Sequence, residues 1–187
     1  MRIFTALGIA LVLVGCTTPQ KPPVDRTPLP TVAAPPYICD HIPLRAVELM
    51  TGVRQPHARG DFDLSFSDGL GIGGCHIYQP TGDKKKLLDV DLTPEGGEEW
   101  VRAEIKAGGK QLPEIVPGGI GFYTQGGTVE ADKTMAGAVL VRGKAQLFVG
   151  MSRGVEGRDN AADVIALMKL IAPKLITSAT APREMKG

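Results

Sequence analysis

The 187-residue sequence contains few aromatic side chains, and its charges nearly cancel. Phe, Trp and Tyr make up 5% of the chain, and 21 basic residues against 20 acidic ones give a formal net charge of +1. Nucleic-acid binding through phosphates requires a strong positive field, so the sequence predicts no nucleic-acid partner. The hydrophobic fraction of 43% is that of a globular protein, and the length allows one domain with appendages.

The sequence also lacks an apolar run long enough to span a bilayer, which requires about 20 residues. The first apolar run covers residues 3–15, follows Arg2 and stops at Cys16. A basic start, a short apolar centre and small residues at the break are typical of a secretory signal. Residues 13–16, "LVGC", resemble the lipobox of bacterial lipoproteins, in which the cysteine becomes the first mature residue and carries a diacylglyceryl group. The sequence therefore predicts a signal peptide over 1–15 and a lipid anchor on Cys16, with an ordinary secretory signal as the alternative.

A proline-rich segment follows the cysteine. Seven of the twenty residues in 17–36 are proline, and such a segment favours polyproline II and cannot bury a core. At about 3.1 Å per residue it could hold a domain roughly 60 Å from the membrane. We interpret 16–36 as a lipidated cysteine and linker, 37–176 as a single domain and 177–187 as a flexible tail. A ligand for a proline-reading domain is the alternative function for the linker.

Cysteine is scarce, with three residues in the chain. If Cys16 carries lipid, Cys39 and Cys75 remain as an even pair, and an oxidising compartment makes a disulfide between them the default. A zinc site is disfavoured because His41 and His76, which lie near the two cysteines, lack paired-ligand spacing. The sequence predicts no metal site and no cofactor.

The hydrophobic pattern of the domain predicts an α+β fold, in which an antiparallel β-sheet is covered by helices. Helical spacing predicts a short helix after Cys39 that ends near Gly52, a second helix within 94–109 and a closing helix after Asp159. Leu88, Val90 and Leu92 alternate with two aspartates, as in a half-buried strand. The other predicted strands are 62–66, 75–80, a glycine-rich strand or loop at 118–125, and a hairpin formed by 138–141 and 145–149.

A lipobox, a proline-rich tether, a cysteine that opens a short helix ending in "TGV", and a second cysteine that starts the strand "CHIY" occur together here. This combination resembles the actinobacterial envelope lipoproteins of the large domain-of-unknown-function group related to the Lpq and Lpp lipoproteins. The family commonly has Trp two residues after the second cysteine, where this chain has Tyr78 one position later. The resemblance implies a compact α+β domain, with the PsbP-like form among the candidates, and an extracytoplasmic location. It implies no catalytic residues.

Two motifs and one cluster invite catalytic or binding interpretations. "GMSRG" matches the G-x-S-x-G pattern of esterases, but no histidine follows Ser152, as the order serine, acid, histidine requires. "GLGIGG" (69–74) matches a dinucleotide fingerprint, but it precedes a predicted strand instead of joining a strand to a helix.

A cluster of acidic residues fits no EF-hand spacing, and we interpret it as a solvated strand face followed by a helix start. Its members are Asp89, Asp91, Glu95, Glu98 and Glu99. The three histidines are scattered and read as surface residues.

We therefore expect a non-enzymatic, membrane-anchored envelope lipoprotein that binds an envelope protein, glycan or lipid at the extracytoplasmic face. The alternatives are an envelope-directed hydrolase with an unrecognised site, and a phage-type immunity or interaction lipoprotein that blocks another envelope protein. The candidate binding loop is 116–127, with Ile120, Phe122 and Tyr123 as its contact residues, and a buried strand with flanking turns is the other interpretation of that stretch.

Overall fold

The computed structural model describes residues 25–126 and 135–177. The signal segment, Cys16, Gly127 and residues 178–187 lie outside the described residues. The strands within the described ranges are β1 (Tyr37–Ile38), β2 (Ile42–Pro43), β3 (His57–Arg59), β4 (Phe62–Asp63), β5 (Ile72–Tyr78), β6 (Lys86–Thr93), β7 (Lys110–Gln111), β8 (Ile120–Gln125), β9 (Ala136–Arg142) and β10 (Ala145–Met151). The helices are α1 (Leu44–Thr51), α2 (Phe66–Gly69), α3 (Glu98–Lys106) and α4 (Asn160–Leu175).

Eight of these strands form one sheet in the order β3-β5-β6-β10-β9-β8-β7, with β4 beside β5. Every neighbouring pair is antiparallel, and β1 and β2 form a separate two-stranded sheet. The predicted α+β fold, an antiparallel sheet covered by helices, is confirmed. The PsbP-like form stays a prediction.

The central strand β6 shows why the sheet has two different faces. Leu88, Val90 and Leu92 are fully buried, whereas the intervening Asp89 and Asp91 are only half-buried. Because successive side chains of a strand point to opposite faces, the three apolar residues lie on the face that α1 and α4 cover. The predicted alternation of this strand is confirmed.

Helix α3 packs on the opposite face of the sheet, mainly against β8 and β9, and Phe148 of β10 packs at the edge of its cluster. Its Val101 is fully buried in a small cluster with Phe122, Val139 and Val141. Trp100 of the same helix is 44% exposed and packs edge-to-face against Phe122, with ring centroids 5.4 Å apart. Within the described residues, α3 makes its main contacts with this face away from β5 and β6.

The cysteine pair joins the first helix to the sheet. Cys39, just before β2 and α1, forms a disulfide with Cys75 of β5, and their Cα atoms lie 6.0 Å apart. Gly52 ends α1 in a left-handed conformation with φ of 70°, as the sequence predicted. The predicted disulfide is confirmed.

The segment between the cysteines departs from the predicted strand at 62–66. Strand β4 ends at Asp63, and Ser67 and Asp68 within α2 have positive φ angles of 52° and 57°. Two consecutive left-handed residues cannot continue a strand. The second half of "GLGIGG" belongs to β5, which starts at Ile72.

The second half of the proline-rich segment, here termed the strap (residues 25–36), lies against α4. The side chain of Arg158 donates from Nη1 to the carbonyl oxygens of Asp25 and Thr27 at 2.6 and 3.0 Å. Its Nε and Nη2 atoms donate to both oxygens of Asp163 at 2.8 and 2.7 Å. Leu29 is buried in the main core. The packed domain therefore includes residues that the sequence assigned to the linker.

We predict that the purified protein has no reactive thiol at Cys39 or Cys75, and that reduction lowers its melting temperature. The disulfide closes a segment of 36 residues, for which the chain-entropy model gives about 4 kcal/mol. In a domain of this size that corresponds to a fall of roughly 10 °C. Thermal unfolding with and without reductant checks the shift. Alkylation of both cysteines without prior reduction would contradict the disulfide.

We predict that Arg158→Met releases the strap and destabilises the domain. The Arg158 and Asp163 side chains are only 4% and 8% exposed, so the variant leaves a buried carboxylate unpaired, at a cost of about 3–5 kcal/mol. Trypsin should cleave after Arg26 faster than in the wild type, because the neighbouring carbonyls lose their donor. The double variant with Asp163→Leu should recover stability but not protection from trypsin. Equal cleavage rates in the wild type and Arg158→Met would show that Arg158 does not hold the strap.

Candidate functional site

The candidate site lies on the face of β5, β6 and β10 that points away from α4, here termed the open face. The strand register aligns His76 of β5 with Asp89 of β6, and Asp89 with Gly150 of β10. The same row continues through Gly137 of β9 to Thr124 of β8. Residues distant in sequence therefore lie side by side across five strands.

Asp89 is the best-fixed polar group of the open face. Its Oδ1 atom lies 2.8 Å from Nδ1 of His76 and 3.1 Å from Nζ of Lys86. Its side chain is 16% exposed. The hydrogen bond with Asp89 raises the pKa of the Lys86 ammonium, so Lys86 is cationic and holds the carboxylate in place.

Asp91, two residues along the same strand, lies in a less favourable environment. Burial raises the pKa of its carboxyl group, and the charge of Asp89 raises it further, while His76 and Lys86 oppose the shift. Desolvation disfavours the charged form of a carboxyl group. The open face therefore contains one carboxylate held by two basic groups and a second whose charged form is disfavoured by burial.

A groove of about 230 Å³ runs beside Asp89. Its lining within the described residues comprises Asp89, Thr124, Gly126, Met135, Ala136, Gly137, Phe148, Gly150, Met151 and Ser152. The ring of Phe148 lies over Gly150, where a Cβ atom would collide with it. At Gly137 a Cβ would be 3.6 Å from Cε2 of Phe148. The two glycines thus provide the space in which the Phe148 ring lies along the groove.

Ser152, the serine of "GMSRG", lies at the edge of this groove. Its backbone N–H donates to the carbonyl of Leu87 at 2.9 Å, so it extends the pairing of β10 with β6. His76 lies on β5, two strands away from β10, which at about 4.8 Å per strand places it about 10 Å off. That separation argues against a Ser–His–Asp triad, which requires direct hydrogen bonds.

The three contact residues of the candidate binding loop lie on strand β8 and do not share a surface. Ile120 and Phe122 pack with the α3 cluster, and Phe122 is only 8% exposed. Tyr123 lies on the opposite face, packed at the margin of the main core, with Nζ of Lys110 5.8 Å from its ring centroid. The stretch therefore contains a strand, as the alternative interpretation has it, and the binding role of its three residues stays a prediction.

The acidic cluster is dispersed by the fold. Asp89 and Asp91 lie on the open face, whereas Glu98 opens α3 and pairs with Arg102 at 3.0 Å. In residues 25–126 and 135–177, no group of three or more His, Cys, Asp or Glu side chains is arranged to hold a metal ion. None of the helices in those ranges has the length and apolar character needed to cross a membrane.

A second cavity, of about 320 Å³, lies between the strap and the first turns of α4. Arg26, Leu29 and Arg158 line it together with Asp163. Its buried charges are already paired with each other, so we regard it as a consequence of the strap and not as a site.

The sequence matches no protein-family model and no curated protein. The open face is therefore characterised by its own geometry alone.

We predict that Asp91→Asn stabilises the domain at neutral pH. A carboxyl group whose pKa is raised on folding destabilises the folded state when it is ionised. This destabilisation is absent below the unfolded pKa of about 4 and grows as the pH rises through the higher pKa of the folded state. The gain in melting temperature should therefore be present at pH 7 and vanish near pH 3. The control is Asp83→Asn, which removes a carboxylate that is 81% exposed and should change stability by less than about 0.5 kcal/mol. A loss of stability in Asp91→Asn at pH 7 would refute the desolvation argument.

Proposed function

We propose that the protein is an exported, non-enzymatic binding module that is anchored by lipid on Cys16 at the extracytoplasmic face of the cell membrane. The Cys39–Cys75 disulfide supports export, because disulfides persist in oxidising compartments. The basic start, the short apolar run and the cysteine at residue 16 support the anchor. The open face supplies the binding surface.

One observation carries the binding role: one face of the sheet shares the main core with α1 and α4, whereas on the other face α3 packs mainly against β8 and β9, with Phe148 of β10 at the edge of its cluster. An antiparallel sheet can leave one face in water, and such a face needs only polar side chains. This one instead contains an aromatic ring above two glycines, beside a carboxylate fixed by two basic groups. A concave apolar surface with a few placed polar groups is the usual form of a ligand site.

The strap adds a constraint on where the partner lies. Because Arg158 holds the chain at Asp25, only residues 17–24 separate the proposed anchor from the domain. At 3.3–3.6 Å per residue this segment reaches at most about 30 Å, half of the distance expected for a linker that extends to residue 36. The partner therefore belongs to the membrane surface or to envelope material close to it.

Site-specific photocrosslinking tests the binding role. A photoreactive residue at Thr124, on the rim of the groove, should capture envelope material in living cells. The same residue at Lys169, an exposed position on α4, is the matched control and should capture little. A strong adduct from Lys169 and none from Thr124 would contradict a binding role for the open face.

We predict that Cys16→Ser abolishes lipid attachment. The variant should remain as an uncleaved precursor and should not incorporate labelled palmitate, because the acyl chains require the Cys16 thiol. Fractionation of cells that express the variant and the wild type checks the result. Continued palmitate labelling of the variant would refute the anchor, and because Cys39 and Cys75 are paired, the label could not be assigned to them.

A further inference from the structure

We infer that the groove of the open face binds a neutral saccharide ring, with the Phe148 ring against its apolar side and Asp89 accepting hydrogen bonds from its hydroxyl groups. The inference rests on the proposed function and names the class of ligand. Three independent features of the groove favour this chemistry: the fixed carboxylate, the balance of charge around it and the form of its apolar floor.

The carboxylate of Asp89 is arranged as an acceptor. Both basic partners, His76 and Lys86, lie against Oδ1, and Oδ2 accepts no hydrogen bond from the residues that the structure describes. Because the contacts with Oδ1 already fix the side chain, Oδ2 can accept a hydrogen bond from a ligand without a further loss of side-chain entropy. A hydroxyl group is a suitable donor, because hydrogen bonds to an ionised acceptor are stronger than those between neutral groups.

The charge around Asp89 favours a neutral ligand over a cation. Lys86 compensates Asp89 directly, at 3.1 Å, so the carboxylate has little uncompensated charge with which to attract a cation. An ammonium ligand would have to compete with Lys86 and His76 for the same carboxylate. A sugar hydroxyl can use the second oxygen without displacing either of them.

The floor of the groove suits the apolar side of a ring. Phe148 is half-buried, packs at the edge of the α3 cluster and lies above Gly150, while Gly137 leaves room for a methyl group between the Phe148 ring and the hydroxyl of Thr124. Aromatic side chains offer a large apolar surface of fixed geometry, and Thr124 and Ser152 place hydroxyl groups at the rim. The volume of about 230 Å³ is below the 300–1,000 Å³ that is usual for drug-sized ligands, so it accommodates one ring and not several.

Gly137→Ala provides a sharp test, because the added Cβ has room. It would lie 3.6 Å from Cε2 of Phe148 and 3.8 Å from Oγ1 of Thr124, which are ordinary contacts, so the methyl group fills the floor without displacing the strands. Alanine is also less costly than glycine inside a strand, so the melting temperature should be equal or higher. The matched control is Gly97→Ala, where a Cβ meets nothing within 4 Å at the start of α3.

The experiment is saturation-transfer NMR on the purified protein with glucose, galactose, N-acetylglucosamine and arabinose as separate probes. We expect at least one sugar to bind to the wild type and to Gly97→Ala, and its affinity for Gly137→Ala to be lower by about tenfold or more, as for a misplaced methyl group in a fitted pocket. A second arm compares soluble galactose with vesicles that carry a galactosyl lipid. Either preference supports a saccharide ring as the ligand. Tighter binding of soluble galactose identifies a free glycan as its source, and tighter binding of the vesicles identifies a lipid headgroup.

Two results would overturn the inference: no binding of any of these sugars to the wild type in either arm, or binding that Gly137→Ala leaves unchanged. If the sugars fail while a photoreactive residue at Thr124 still captures an envelope protein, the proposed binding module stands and the saccharide ligand is wrong. If neither the sugars nor the photoreactive residue gives a signal, both proposals fail.

Discussion

Burial of one face of the eight-stranded sheet under α4 is the constraint on which the rest of the molecule depends. Because side chains alternate along each strand, placing Leu88 and Val90 in the core forces Asp89 and Asp91 onto the other face. A shift of one residue would exchange the two sets, which is why the register is strongly specified. The polar character of the open face is thus a direct consequence of the apolar core.

The sequence predicts the parts of the fold that local signals determine. Alternation identifies β6, a turn between two apolar runs identifies the β9–β10 hairpin, and the Asp159 side chain caps α4 by accepting from the N–H of Ala162. The disulfide follows from the hypothesis of export together with the even pair of cysteines. The strap could not be predicted, because proline-rich composition describes the free chain and not what lies beside it. Its docking depends on Arg158, which lies 131 residues beyond Thr27 and has no distinctive local pattern.

Most of the candidate site could not be predicted from the sequence either, because it is formed by residues that are distant along the chain. His76 and Asp89 become neighbours only through the pairing of β5 with β6, and each of them alone reads as a surface residue. Gly137 and Gly150 read as ordinary strand glycines until the Phe148 ring is seen to occupy the space they leave. Short distances between residues on different strands depend on which strands pair, and no local pattern in the sequence reveals that pairing. The composition of the stretch around Phe122 favours a binding loop, but Ile120 and Phe122 pack in the α3 cluster.

The central claim is that the open face, and not the α4 face, contacts the ligand. The most direct measurement is a set of amide chemical shifts from the isotopically labelled mature protein, titrated with envelope material extracted from its own cells. The account predicts shift changes that cluster at Asp89, Thr124 and Phe148, with little change along α4 and the strap. Changes that cluster on the outer surface of α4, or spread evenly over the sheet, would contradict it.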